Sequence, residues 1–205
     1  MVDIAPEQRK QWRAQMLAKR NGLSPRERIE AAQGLRHVLE TLPEFMVDTH
    51  IAGYWAMGGE LPLNLAQAGL AQRGQHWHLP VIGDDRSMRF ARWQAGDAVA
   101  PNRYGIPEPQ VDAGALLGAE AVQLVLVPLL GFDRFGQRIG FGGGFYDRAF
   151  DFLNGQDRPA HPLLVGVGYV FQEVDAIMPQ PWDVRLDYVA TERELIDCNA
   201  LGTGH

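Results

Sequence analysis

The stretch VQLVLVPLL, residues 122–130, is the most hydrophobic segment of the chain that reads as a strand. Its apolar residues run continuously and do not alternate with polar ones, which indicates a strand covered on both faces. Further strands are predicted at 49–55, 77–82, 88–93, 163–169 and 186–191. Because segments with helical periodicity alternate with most of these strands, the sequence predicts a three-layer α/β/α sandwich with a mainly parallel, Rossmann-like sheet.

Two helices are predicted before the first strand. Residues 7–20 form a charged helix on which Arg9, Arg13 and Arg20 share one stripe, while Trp12 and Met16 beside it suggest a core contact. The second helix has an N-terminal signature in Ser24, Pro25 and Glu27, the pattern of a capping box. Later in the chain a helix is predicted at 62–73, a loop at 96–114, and a helix with an apolar stripe from Phe145 to Leu153.

The composition narrows the class of protein. The chain has 205 residues, of which 46% are apolar and 21% charged, and this is typical of one globular domain spanning 1–205. Its net charge of -6 disfavours nucleic-acid binding. We expect no membrane association, because no apolar run approaches the roughly 20 residues of a membrane helix. The polar N-terminus is unlike a signal peptide, and the single cysteine, Cys198, suits a reducing compartment, so a monomer in the cytoplasm is expected.

A glycine-rich segment, GQRIGFGGGFYDRAF (136–150), follows the central strand. In parallel sheets ligands bind beyond the carboxyl ends of the strands, so this segment lies where a ligand is expected. It does not match the P-loop, because Gln137 and Arg138 stand where lysine and Ser/Thr are required. It does not match the dinucleotide motif either, since Phe145 occupies the position of the last glycine.

The physical properties of the segment still suit an anion. Glycines 142–144 let a ligand approach the main chain, and Arg138 and Arg148 supply cationic groups on both sides. Asp147 is a possible Mg²⁺ ligand, because this cation prefers carboxylate and phosphate oxygens. The residues alone leave two interpretations open: a phosphate site, or glycines that only turn a strand into a helix.

The segment LVPLLGFDRFGQRIGFGGGFYDR resembles the signature of the 5-formyltetrahydrofolate cyclo-ligase family, also called methenyltetrahydrofolate synthetase. The resemblance extends over most of the chain. It includes RKQWR (9–13), YWAMGGE (54–60), LPVI (79–82), MRFARW (88–93), YGIPEP (104–109) and PWDVRLDYVAT (181–191).

The resemblance implies a set of site residues. ATP would be bound by Arg9, Lys10, Arg13, Arg138, Ile139, Gly140, Phe141, Gly142, Gly143, Gly144, Phe145 and Tyr146. Arg138 and Tyr146 would also serve the reaction itself, Tyr146 at the junction of the two substrates. The reduced folate would contact Trp55, Glu60, Tyr104 and Tyr146, with Glu60 bonding the pterin ring. Asp147 and Asp187 match the Mg²⁺ positions, and Asp183 either supports Asp187 or faces water.

Two positions depart from the family pattern. Arg9 stands where lysine is usual, which keeps the charge but changes the geometry of the donor. Phe145 replaces the first tyrosine of the usual Tyr-Tyr-Asp, so no polar role is expected of it. The implied reaction converts 5-formyltetrahydrofolate and ATP into 5,10-methenyltetrahydrofolate, ADP and phosphate.

Two alternatives remain at this point. A non-catalytic folate- or nucleotide-binding homologue would keep the pocket, and the Phe145 substitution is the only feature that favours it. A sugar-phosphate isomerase or CoA-transferase-like enzyme would share the sheet but have no use for ATP. His76 and His78 share one side of a predicted strand, but the sequence offers no third ligand, so a metal site there is disfavoured.

Overall fold

The computed structural model describes residues 5–200 and has a seven-stranded sheet at its centre. The helices are α1 (Ala5–Asn21), α2 (Pro25–Leu39), α3 (Pro43–Val47), α4 (Asn64–Gln67) and α5 (Phe145–Ala149). The strands are β1 (His50–Ala52), β2 (His76–Ile82), β3 (Met88–Arg92), β4 (Val99–Pro101), β5 (Pro107–Pro109), β6 (Leu124–Pro128), β7 (Gly131–Phe132), β8 (Arg138–Ile139), β9 (Leu163–Val167), β10 (Tyr188–Ala190) and β11 (Leu195–Asp197). Short 3-10 turns complete the regular structure.

The strand order in the large sheet is β11-β10-β9-β6-β1-β2-β3. The five inner strands are parallel, and only the edge strands β3 and β11 run antiparallel to their neighbours. The predicted α/β fold with a mainly parallel sheet is therefore confirmed. Chain order leads from β1 to β2 in one direction and from β6 to β9 in the other, so the order reverses between β1 and β6. A crevice opens at such a reversal, beyond the carboxyl ends of the two strands.

Strand β6 has apolar cores on both faces, as its continuous hydrophobicity predicts. Leu124 and Leu126 belong to the core that packs against α2 and α4. Val125 and Val127 belong to the core on the other face, which includes Phe150 beyond α5. All four of these strand residues are fully buried, as expected for a strand at the centre of the sheet.

The predicted start of α2 is confirmed. The Glu27 backbone N–H donates to the Ser24 hydroxyl at 3.3 Å, and the Ser24 N–H donates to the Glu27 carboxylate at 2.8 Å. Pro25 is the first residue of the helix, where the missing N–H costs nothing. Together these contacts satisfy two of the helix's otherwise unpaired donors.

Several predicted bounds were wrong. The helix expected at 62–73 is limited to α4 and a 3-10 turn, since Gly69 has poor helix propensity. The segment 96–114 is not all loop, because β4 and β5 form a small antiparallel hairpin within it. The helix after the glycine segment has five residues, and Phe152 and Leu153 lie in a following 3-10 turn. Strand β11 was not predicted at all. Within residues 5–200, no helix has the length and apolarity to cross a membrane.

Candidate active site

A cleft of about 930 Å³ opens at the strand-order reversal, beyond the carboxyl ends of β1 and β6. Four segments contribute most of its wall: α1, the segment after β1, the β4–β5 hairpin and the glycine segment after β8. The residues that line it include Arg9, Arg13, Tyr54, Trp55, Met57, Glu60, Asn102, Tyr104, Glu108, Arg138, Gly140, Phe141, Gly142, Gly143, Gly144, Phe145, Tyr146, Asp147, Trp182 and Asp183. Residues far apart in the sequence thus share one concave surface.

The glycine segment is supported by a β7–β8 hairpin that depends on Asp133. One carboxylate oxygen of Asp133 accepts the N–H groups of Phe135 and Gln137, each at 2.9 Å. The other oxygen accepts the N–H of Ile177 at 2.8 Å, and the side chain is 1% exposed. Because these bonds close the turn between the two strands, Asp133 fixes the direction in which the chain enters the glycine segment.

The main chain of residues 140–144 presents unpaired donors to the cleft. Within residues 5–200, no backbone N–H of these five residues donates to a protein group. Gly142 and Gly144 have φ of 95° and 61°, which residues with a Cβ rarely adopt. A row of unpaired N–H groups on such a curved backbone is a feature that binds phosphate oxygens.

Arg138 is almost fully buried beneath this segment, and its guanidinium donates to the Asp147 carboxylate and to the Val184 carbonyl. Burial lowers the pKa of Arg138, and the carboxylates of Asp147 and Asp183 act in the opposite direction. Its guanidinium is delocalised and bonded to a carboxylate, so the group stays cationic at neutral pH. Arg138 therefore supplies a fixed positive charge at the wall of the cleft, next to Asp147.

Helix α1 contributes two further arginines. Arg9 donates to the Met178 carbonyl and to the Asp183 carboxylate, both at 2.7 Å. The Nε of Arg13 donates to the Gly140 carbonyl at 2.9 Å. These bonds connect α1 to the other side of the cleft. Each guanidinium has more N–H groups than these bonds use, so both can also bind an anion in the cleft.

The cleft is also lined by a carboxylate, Glu60, and by aromatic rings. Glu60 accepts the N–H of Met57 at 2.8 Å, and burial raises its pKa. Trp55 packs edge-on against Trp93 at 5.4 Å. Tyr104 meets the Phe145 ring at 5.5 Å and an angle of 71°. A carboxylate and aromatic rings in one cleft suit a flat, nitrogen-rich ligand that donates hydrogen bonds.

The sequence of the chain matches a known protein family. The sequence model of the 5-formyltetrahydrofolate cyclo-ligase family matches residues 5–192, which is most of the chain. The chain belongs to the 5-formyltetrahydrofolate cyclo-ligase family. It is accordingly an enzyme of the ligase class, as the sequence predicted.

Individual relatives of the cyclo-ligase family agree with this assignment. The 5-formyltetrahydrofolate cyclo-ligase of Escherichia coli K12 is 29% identical over 175 residues, covering 84% of this chain and 94% of that protein. The enzyme of the same name from Haemophilus influenzae is 29% identical over 182 residues, covering 88% and 95%. The NMR structure of Aquifex aeolicus 5,10-methenyltetrahydrofolate synthetase has a TM-score of 0.77 and 29% identity, covering 93% of this chain and 92% of that one.

Most of the residues that the cyclo-ligase resemblance implies meet in the cleft, but three do not line it. Lys10 is exposed on α1 and pairs with Glu7 at 3.8 Å. Ile139 is fully buried in the core beneath the glycine segment. Asp187 is fully buried as well, bonded to the guanidinium of Arg158 and to the Leu164 N–H at 2.8 Å. Each of the three could affect the cleft only indirectly in this arrangement.

Sequence reasoning missed several residues of the cyclo-ligase cleft. Asn102 accepts the N–H groups of Tyr104 and Ile106 at 2.8 and 3.0 Å and donates to Glu108 at 2.7 Å, which holds the tip of the β4–β5 hairpin over the cleft. An asparagine three residues before Gly105 is the signal that could have indicated this turn. Trp182 and Asp183 also line the cleft. The sequence suggested that Asp183 supports Asp187 or faces water, but it bonds the Arg9 guanidinium at 2.7 Å.

Proposed function

We propose that the protein catalyses the ATP-dependent cyclisation of 5-formyltetrahydrofolate to 5,10-methenyltetrahydrofolate, with release of ADP and phosphate. One observation carries the proposal: the unpaired N–H groups of residues 140–144 and the Glu60 carboxylate belong to the same cleft. The first suits the phosphates of a nucleotide and the second the pterin of a folate. The family membership of the chain supports this pairing of substrates.

The formyl oxygen of 5-formyltetrahydrofolate must be activated before the ring can close. A formamide carbon is a poor electrophile, and its oxygen cannot leave as oxide. Transfer of the γ-phosphoryl group of ATP to that oxygen produces ADP and makes the oxygen a leaving group. The N10 amine then attacks the formyl carbon, phosphate departs with the oxygen, and N10 loses its proton to give the methenyl product. No enzyme nucleophile is required.

The protein would act by positioning and by neutralising charge, as in other phosphoryl transfers. We assign the terminal phosphates of ATP to the N–H groups of residues 140–144 and to Arg9, Arg13 and Arg138. The buried charge of Arg138 costs no reorganisation during transfer, because its contacts already fix it. Lys10 and Ile139 remain predicted contributors to the nucleotide site.

Mg²⁺ is implied by the family, and the donors of the cleft fit it in part. Asp147 lines the cleft and has a second carboxylate oxygen beyond the one that bonds Arg138, so it would hold Mg²⁺ together with substrate phosphates. Among residues 5–200 there is no cluster of three His, Cys, Asp or Glu side chains suited to a metal. When bound, Mg²⁺ would neutralise charge that develops on the phosphates. The carboxylate of Asp187 is bonded to Arg158 in this arrangement. A metal role for Asp187 therefore stays a prediction.

The folate would be oriented by the carboxylate and the aromatic residues of the cleft. Glu60 would accept hydrogen bonds from the N–H groups of the pterin, with Trp55 and Tyr104 against its faces. Tyr146 would sit between the two substrates, and burial raises the pKa of its phenol, so it would stay a neutral hydrogen-bond donor. The amine and the formyl group belong to one molecule, so holding the right rotamer supplies much of the rate advantage.

The test is to mix the purified protein with folinic acid and Mg-ATP and to record the near-ultraviolet absorbance of the methenyl product. We expect product only when all three are present. Binding of both ligands without product would favour a non-catalytic homologue. Indifference to both ligands would overturn the proposal and favour an enzyme with another substrate, such as a sugar-phosphate isomerase.

A further inference from the structure

Arg20, at the C-terminal end of α1, is fully buried although it is a charged residue. Within residues 5–200 its Nε and Nη1 have no hydrogen-bond partner, and its guanidinium forms no ion pair. Burial of a guanidinium in this state costs free energy of folding. Arg20 shares a stripe of α1 with Arg9 and Arg13, which line the cleft, but Arg20 itself is buried, so its position calls for a specific explanation.

The contacts of Arg20 go to the turn that carries Glu60. Its Nη2 donates to the carbonyls of Met57 and Gly58, at 3.0 and 2.8 Å. The turn is closed by the Glu60 N–H, which donates to the Met57 carbonyl at 3.0 Å. Gly59 packs directly on the end of α1, because a Cβ built there would lie 3.3 Å from the Arg20 carbonyl oxygen. Arg20 therefore holds the backbone of residues 57–60 in place.

Arg20 also acts on Glu60 through its charge. Burial raises the pKa of Glu60, and Arg20 is the cation that lowers it. The other ionisable groups facing this pair are Tyr54, Tyr146, Tyr169 and Arg28. The pKa of each of the three tyrosines is raised, so they are neutral at working pH and cannot replace the cation.

The same guanidinium contacts the nucleotide side of the cleft. Its central carbon lies 5.5 Å from the ring centroid of Phe141, within the range of a cation–π interaction. Phe141 belongs to the glycine segment, and both it and Glu60 line the cleft, whereas Arg20 lies behind the wall. One buried side chain thus contacts the two segments that the proposed substrates would use.

We infer that Arg20 is a positioning residue that fixes the 57–60 turn, which carries Glu60, and links that turn to Phe141. The inference rests on the proposed function, because it assigns Glu60 to the folate. It makes Arg20 act through Glu60 and not on the substrate itself. Its loss should therefore affect folate more than ATP.

The test compares Arg20→Lys and Arg20→Met with Arg26→Met, a control in which the replaced arginine is exposed on α2. Arg20→Met should raise the KM for folate about ten- to a hundredfold and the KM for ATP less than about threefold. The acid limb of kcat/KM for folate should move to higher pH, because the pKa of Glu60 rises without the cation. Arg20→Lys should raise the KM for folate but leave the pH of the acid limb unchanged. The ammonium of lysine keeps the positive charge but lacks the forked donors of the guanidinium. Arg26→Met should match the unaltered protein.

A double-mutant cycle with Glu60→Gln separates positioning from a general loss of structure. Glu60→Gln should abolish the acid limb, and adding Arg20→Lys should then change the folate KM by less than about threefold. Fully additive effects, an equal rise in both KM values, or an unmoved acid limb in Arg20→Met would overturn the inference. If Arg20→Met does not fold, the cycle with Arg20→Lys decides.

The failure of the proposed function would be seen separately. If the unaltered protein makes no methenyl product, the same variants are compared by the Kd for folinic acid at several pH values. A Kd that responds as predicted for KM would support Arg20 without the reaction. A protein that does not bind folinic acid would refute both, while normal turnover with unaffected Arg20 variants would refute the inference alone.

Discussion

Arg138 is a predicted site residue that lies at the wall of the cleft, is buried and carries a positive charge. Its guanidinium bonds Asp147 and the Val184 carbonyl, and it is 8% exposed. A neutral residue at this position would leave Asp147 without its cation at the place where ATP phosphates are proposed to lie. The position therefore combines a structural contact with a proposed catalytic role, and its test must separate the two.

We predict that Arg138→Ala lowers kcat/KM at least about a hundredfold and leaves the Kd for folinic acid within about threefold, because the charge is needed only at the phosphates. The absorbance assay gives the first quantity and a fluorescence titration gives the second. Arg138→Lys, with thermal unfolding of both variants, controls for the loss of a buried ion pair. Equal losses of activity and folate affinity would contradict the assignment.

The sequence predicts which residues line the cleft better than it predicts what each of them contacts. The sequence indicates Glu60, Tyr104, Arg138 and Asp147 as site residues, and all four line the cleft. It cannot indicate that Asp187 is bonded to Arg158, because the two residues are far apart in the chain and meet only through the fold. The buried position of Arg20 is hidden for the same reason.

At the scale of elements, the glycine segment is a loop whose shape its sequence specifies. Gly142 has φ of 95° with open space around the position of a Cβ. The helix that follows has only five residues, so a strong helix dipole is not available. Affinity for phosphate would then depend on the curved main chain and on the arginines.

We predict that Gly142→Ala raises the KM for ATP about tenfold or more, because a side chain is strained at this φ and the loop must shift. Gly155→Ala is a matched control, since Gly155 has φ of 79°, also with open space around it, and does not line the cleft. Both variants should lose similar stability in thermal unfolding. A change in the KM for ATP in both, or in neither, would contradict the role given to residues 140–144.

Elements with a local signal were predictable, and those fixed by pairing were not. The capping box sets the start of α2 within four residues of sequence. The β4–β5 hairpin was missed because Pro101, Pro107 and Pro109 argue against strands, and such residues are tolerated only in edge strands. Strand β11 has three residues, too few for a periodic pattern, and exists by pairing with β10.

At the scale of the whole molecule, the sheet has its proposed site at one end and a histidine cluster at the other. His50 and His76 begin β1 and β2, and the Nδ1 of His50 lies 3.0 Å from the Nε2 of His78. His78 is 2% exposed, and burial, reinforced by His50, His76 and Arg92, lowers its pKa to about 4. His78 is therefore neutral in the folded protein at neutral pH, and this has consequences for stability.

We predict that the free energy of unfolding falls as pH decreases from about 6.5 to about 4, by up to about 3 kcal/mol from His78. In this range His78 binds a proton in the unfolded chain but not in the folded protein. The contribution of His78 to the free energy of unfolding is therefore fully present above the unfolded pKa and is lost as the pH falls below it. Urea unfolding between pH 4 and 8 would measure the slope. His78→Gln should flatten it and His37→Gln, at an exposed position, should not. Identical slopes for all three proteins would contradict the prediction.

The proposed function depends above all on one arrangement of the sheet. The residues assigned to ATP and those assigned to the folate meet at one strand-order reversal. The fold class follows from continuous apolar strands, but the pairing of β1 with β6 depends on the packed whole. That pairing brings the segment after β1, which carries Glu60, beside the glycine segment reached from β6. No local pattern in either segment encodes this proximity.

The most direct test is a crystal structure of the protein with Mg-ADP and folinic acid bound. We predict that the β-phosphate lies within hydrogen-bond distance of the N–H groups of residues 140–144, close to Arg138, and that the pterin is bonded to Glu60. Phosphates bound elsewhere, with those N–H groups donating instead to protein carbonyls, would contradict it.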